Sequence, residues 1–97
     1  MELNSKQTRY LRRLAHHLDA VVMVGDRGMT SEVIRATDEA LNAHELIKVR
    51  IRGDRIDVKG HANTLRTELG AALVQIIGKV AILYRKREKK PKIELPT

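Results

Sequence analysis

Apolar positions recur along the chain in two rhythms, and together they predict seven elements. Leu11, Leu14, Ala15 and Leu18 stand at helical spacing. Asn4 lies ahead of them as a cap, with Gln7 three residues on to close a capping box. Ala20–Val24 is a continuous apolar run of strand length, as suits a parallel strand or one covered on both faces. Val33, Ile34, Thr37 and Leu41 form a second helical stripe behind a Thr30 or Ser31 cap. Residues 46–52 alternate: Ile47, Val49 and Ile51 point one way, and Lys48, Arg50 and Arg52 the other. Val58, Ala62, Leu65 and Leu69 mark a third helix that stops at Gly70. Its start has two readings. Arg52-Gly53-Asp54-Arg55 can turn a hairpin, or Asp54 can cap the helix. The later spacing favours the helix, although Gly60 costs it about 1 kcal/mol against alanine. Residues 73–77 and Val80–Tyr84 are β-rich runs around a Gly78-Lys79 turn.

The expected product is an α/β, two-layer domain in the order helix-strand-helix-strand-helix-strand-strand, with a small mixed four-stranded sheet. It occupies residues 1–85. Residues 86–97 read as a basic tail, Lys86-Arg87-Glu88-Lys89-Lys90-Pro91-Lys92 and onward, in which Pro91 and Pro96 prevent regular continuation. The tail is either a solubilising end or a phosphate-binding arm, with Ile93 and Leu95 available to tuck against the domain.

Ninety-seven residues with 42% hydrophobic content suffice for one folded domain with a modest core. Lys and Arg number 19 against 12 acids, a net charge of +7, which suits a polyanionic partner. The charge is concentrated on the first helix. Lys6, Arg9 and Arg13 lie nearly opposite its apolar stripe, with Arg12 on the flank, and no acid occurs between Lys6 and His17. A merely solvated face usually mixes signs, so this one reads as a binding face. The only aromatic residues besides histidine are Tyr10 and Tyr84, which argues against RNA recognition by stacked rings. There is no cysteine, no apolar run long enough to span a bilayer and no signal-peptide apolar region. A cytoplasmic, monomeric protein is expected.

Residues 21–30, Val-Val-Met-Val-Gly-Asp-Arg-Gly-Met-Thr, read as strand, tight loop and helix start. Glycines let a backbone come close to a ligand, and a helix start offers free N–H groups to an anion. Enzyme signatures are poor. His16, His17, His44 and His61 fall at no familiar metal spacing, and neither a Walker A nor a Gly-x-Ser-x-Gly pattern occurs. The chain therefore reads as non-catalytic, without metal or cofactor.

The chain resembles the CRM (chloroplast RNA splicing and ribosome maturation) domain family, in particular its small stand-alone bacterial YhbY-type members. The likeness rests on Leu3-Asn4-Ser5-Lys6-Gln7, Leu14-Ala15-His16, the Val-Gly-x-x-Gly-Met-Thr loop, His44-Glu45-Leu46-Ile47-Lys48-Val49, and Val74-Gln75-Ile76-Ile77-Gly78-Lys79 leading to Leu83-Tyr84-Arg85. It implies a fold similar to the C-terminal domain of translation initiation factor three. It also implies RNA binding, with rRNA in precursors of the large ribosomal subunit as partner during assembly. The loop Gly25, Asp26, Arg27 and Gly28 is carried over as the RNA contact, its backbone amides available to phosphate. Lys6, Arg9, Arg12 and Arg13 join it on charge geometry, and Arg85 and Lys86 extend the set toward the tail. Asp26 departs from the family, where lysine or a neutral polar residue is common. Either Arg27 takes over the cationic role, or Asp26 caps the following turn. The competing readings are a DNA-binding protein and a protein-interaction domain meeting an acidic partner.

Overall fold

The computed structural model describes residues 2–97. Seven elements follow in the expected order: α1 (Ser5–Ala15), β1 (Ala20–Val24), α2 (Ser31–His44), β2 (Leu46–Ile51), α3 (Arg55–Leu69), β3 (Ala72–Ile77) and β4 (Val80–Tyr84). The local signals act as the sequence predicts. Asn4 and Gln7 close the α1 capping box, and Thr30 caps α2 through the Val33 N–H. The ambiguous stretch is helical. Asp54 and Asp57 form a reciprocal capping box, and Gly70 ends α3 in the left-handed region at φ +59°. Each such cap stabilises its helix by about 1 kcal/mol.

The strands form one mixed sheet in the order β1-β2-β4-β3, with β1 parallel to β2 and the other neighbours antiparallel. Alternation along β2 divides the molecule. Ile47, Val49 and Ile51 join Val22, Val24, Ala81 and Leu83 on the inner face, buried against Leu41 of α2 and Val58, Ala62 and Leu65 of α3. This is the expected two-layer body. The outer face is covered only in part. Leu11 and Ala15 of α1 pack on Leu46, Val74, Ile82 and Tyr84, together with Leu3, Ile93 and Leu95. α1 thus crosses β2, β3 and β4 and adds an incomplete third layer. Irregularities in register between Ala20 and Val22 and between Leu73 and Gln75 absorb one residue each. A one-residue slip would otherwise turn each strand's apolar set outward.

The tail from Lys86 onward has no regular structure, yet it is tied down through Glu45. Glu45 connects α2 to β2 in a positive-φ conformation (φ 64°) and is wholly buried. Its carboxylate accepts hydrogen bonds from the backbone N–H of Arg87 (2.8 Å), Lys92 (2.6 Å) and Ile93 (2.7 Å). Its carbonyl accepts from the Arg85 N–H (2.9 Å). Burial works against the carboxylate charge, but the three N–H donors and the nearby Arg87 cation outweigh it and hold the pKa below the usual glutamate value. Burial, and then the same carboxylate, push the Tyr84 phenol upward. Among the described residues no helix is long and apolar enough to cross a membrane.

Two outcomes follow for Glu45. Glu45→Ala strands buried N–H groups and should lower unfolding stability by about 3 kcal/mol, read by chemical denaturation, while the tail becomes an early site of limited proteolysis. A depressed folded pKa contributes stability that is present above the unfolded pKa and lost as pH falls through the folded one. Stability should therefore decline on acidification, and Glu45→Gln should flatten that part of the profile.

Candidate nucleic-acid interface

The loop expected to bind phosphate is a closed turn at the carboxyl end of β1. The Gly28 N–H donates to the Gly25 carbonyl at 3.0 Å, leaving Asp26 and Arg27 at the exposed tip. The two glycines differ in what requires them. Gly28 has φ +70°, and a Cβ there would meet His61 Cε1 of α3 at 3.3 Å. Its small size serves the turn, and its N–H is not available to a ligand. Gly25 has no positive φ, and an added Cβ would meet nothing within 4 Å. The fold does not demand glycine there, so what its missing side chain leaves is open space in front of the backbone.

Asp26 does not serve as a cap in its own turn. Its carboxylate pairs with the Arg52 guanidinium at 3.3 Å, just beyond the end of β2, where the Arg52 N–H also bonds the Val24 carbonyl. Both side chains are largely exposed, so the pair contributes little stability. It does draw the carboxylate toward β2 and leaves Arg27 as the cation at the tip. The start of α2 carries its own acid, Glu32, which accepts from the Ser31 hydroxyl at 3.1 Å.

Lys6, Arg9, Arg12 and Arg13 are exposed along α1, and none forms an ion pair among the described residues. They do not adjoin the loop directly. The carboxyl end of α1 lies by the start of β1, and the loop lies at the other end of that strand, ~13 Å away at the usual rise per residue. β2 fills the interval. Lys48 and Arg50 project from its outer face, with Lys48 opposite Ala20 and Arg50 opposite Met23. Arg9, Arg12, Arg13, His16, Lys48 and Gln75 line one cleft of about 480 Å³ between α1 and the sheet. His16 and His17 meet edge to face at 5.3 Å on its rim. Lys48 and Arg50 were legible as the polar side of an alternating strand, but alternation does not say what lies over that side.

Arg85 and Lys86 are not part of this surface. β4 runs antiparallel to β2, so its last residue, Tyr84, pairs with Leu46 at the far end of the sheet. Arg85 is bound into the structure: its guanidinium pairs with Asp38 at 2.8 Å, and donates to Leu69 O at 3.0 Å and Asn42 Oδ1 at 2.9 Å. It ties α2 to the end of α3. Arg87 similarly donates to the Asn42 and Ala43 carbonyls at the end of α2. Lys86 is exposed at that same end, away from the loop, and lines a cleft with Asp38, Asn42 and Arg85 and not with the α1 cations. Arg85 at the end of the domain and Arg87 in the tail are thus spent on helix-end carbonyls and an acid.

The structure is an α/β domain with a glycine loop, a basic helix and a half-open sheet, and comparison with known proteins places the chain in a family. Residues 3–85 match the CRS1/YhbY (CRM) domain. The chain belongs to this family. It is 46% identical over 95 residues to a protein of Haemophilus influenzae named as RNA-binding, covering 97% of this chain and 95% of that one. It is 40% identical over 98 residues to a probable RNA-binding protein of Bacillus subtilis, covering 97% and 99%. A Staphylococcus aureus protein whose solution structure is described as that of a candidate RNA-binding protein superimposes with a TM-score of 0.85 at 38% identity, covering 98% of this chain and all of that one.

The two glycines should separate on substitution. Gly25→Ala should leave thermal unfolding unchanged. Gly28→Ala should cost about 1–2 kcal/mol, because a Cβ is disfavoured in the left-handed region and crowds His61.

Proposed function

We propose that this protein is a non-catalytic RNA-binding module that contacts the RNA sugar-phosphate backbone along a strip running from α1 over β2 to the Gly25–Gly28 loop. The observation that carries the reading is the row of cations Lys6, Arg9, Arg12, Arg13, Lys48, Arg50 and Arg27. None of these makes an ion pair among the described residues, and Asp26, the acid at the loop end, is turned to Arg52. An ordinary fold has no use for so many unneutralised charges on one side. A polyanion neutralises them and releases its counterions. At the loop end, the open space before Gly25 admits a backbone at close range, much as a Gly-x-x-Gly loop does in KH domains.

The names of the relatives support RNA rather than DNA as the polyanion. We further propose rRNA in precursors of the large ribosomal subunit as the target, with action as a monomer in the cytoplasm. This finer reading is supported by the resemblance to the small bacterial members of the family.

Binding to a structured rRNA fragment, followed across a salt series, should weaken steeply with salt and exceed binding to duplex DNA of equal length. Lys48→Gln and Arg50→Gln should each weaken binding and reduce the salt slope by about 0.7–0.9. Lys86→Gln should change neither. Asp26→Asn should strengthen binding by freeing Arg52. Equal, weak binding to both nucleic acids would sink the proposal. For the finer reading, the protein should co-sediment with large-subunit precursors in extract gradients, and migration only as free protein would count against it.

A further inference from the structure

One part of the outer sheet face is not covered by α1, which only borders it where Ile77 lines the same cleft as Arg9, Arg12 and Arg13. Register places Met23, Arg50, Val80 and Ile77 side by side across all four strands, since Met23 pairs with Arg50, Arg50 with Val80, and Val80 with Ile77. Met23 and Ile77 are 63% and 56% exposed, and Arg50 between them is also exposed. A neighbouring outer row, Lys48, Ile82 and Gln75, runs under the flank of α1. The open row lies at the same end of the sheet as the Gly25–Gly28 loop, because Val24 pairs with Ile51 one residue further along.

An apolar row that spans a sheet face and is rimmed by polar and charged residues is the kind of surface that marks an interaction site. Four strands at about 4.8 Å spacing make the row ~14 Å long. A sheet face of that size accommodates two or three unstacked bases in other RNA-binding folds. Bases have apolar faces and polar edges, and they are joined by a charged backbone. The row offers matching chemistry: aliphatic platforms at both ends, a guanidinium between them that can stack on a base or bond a phosphate, and a carboxamide, Gln75, one row away. No acid projects from these two rows. The cations of α1 border them on one side and the loop on the other, so a strand following the basic strip passes directly over them.

We propose that the Met23–Arg50–Val80–Ile77 row is a base platform for unpaired nucleotides, and that the RNA held here is single-stranded where it crosses the sheet. The inference rests on the RNA-binding reading above and adds the conformational class of the ligand. In a duplex the bases are turned inward and cannot reach the side chains, so the row contributes only in the single-stranded case. Scarcity of aromatic residues does not prevent this, because methionine and isoleucine supply contact area without a ring, at the cost of base discrimination.

The test uses the full chain, a short single-stranded RNA, the corresponding RNA duplex, and the same single strand carrying two adjacent abasic sites. Wild type should prefer the single strand to both other ligands. Met23→Ser combined with Ile77→Ser should lower single-strand affinity by roughly tenfold, at the scale of losing base packing. Duplex affinity and the salt slope should stay unchanged, since no cation is altered. The abasic strand should bind wild type and the double variant alike. Exposure of both positions keeps the fold intact, to be checked by thermal unfolding. If wild type binds RNA and the double variant loses nothing on the single strand, the platform is overturned and the row belongs to a protein contact. Equal losses on single strand and duplex overturn it as well. If wild type binds no RNA at all, the functional reading falls and takes this inference with it.

Discussion

The strict alternation of β2 is the constraint on which the rest of the structure depends. The strand is central, flanked by β1 and β4, so both of its faces are committed. Its inward residues Ile47, Val49 and Ile51 are almost wholly buried and anchor the packing of α2 and α3. Its outward residues begin with Leu46, which takes α1 and the tail, and continue with Lys48 and Arg50, which nothing covers fully. A single strand thereby sets the core on one side and a graded surface on the other. A register slip of one residue would bury two cations and expose three aliphatic side chains, which burial energetics forbid.

Glu45, one residue before β2, has the complementary task at the other end of the sheet. Buried carboxylates are costly unless fully bonded, and this one is satisfied by backbone N–H groups brought from the tail. The helix-to-strand corner, the end of β4 and the tail are thus held by one charged group. Arg85 and Arg87 work nearby on the end of α2, through Asp38, Asn42 and the carbonyls of residues 42 and 43. Basic residues of one chain therefore serve two purposes. Arg85 and Arg87 at the Glu45 end hold the fold together, and those on α1, β2 and the loop remain uncommitted. Net charge alone does not distinguish the two groups.

The loop illustrates the same division on a smaller scale. Gly25 and Gly28 look equivalent in a Gly-x-x-Gly motif, yet Gly28 answers to φ and to His61, whereas only Gly25 leaves unexplained room. Asp26 looked like an obstacle to an anion at the loop. Its partner Arg52 lies 26 residues away and is brought near only because β1 and β2 run parallel with their ends aligned.

By itself the sequence determined the element order, the cap at Asn4, the stop at Gly70, the basic face of α1 and the position of the loop, and it narrowed the α2 cap to Thr30 or Ser31 and the Asp54 stretch to a hairpin or a helix cap. These are legible because each depends on residues within about one helical turn or one strand of one another, where spacing alone dictates geometry. Only the tertiary structure decided that α1 lies on the opposite sheet face from α2 and α3. It likewise decided that Lys48 and Arg50 join α1 to the loop, that Arg85 is consumed by Asp38, and that Met23 and Ile77 share a row with Arg50. Such facts depend on strand order and register, and these follow from pairing between residues far apart in the chain. A local pattern can say which side of a strand is polar, but what stands over that side is settled only when the strands are placed in the sheet.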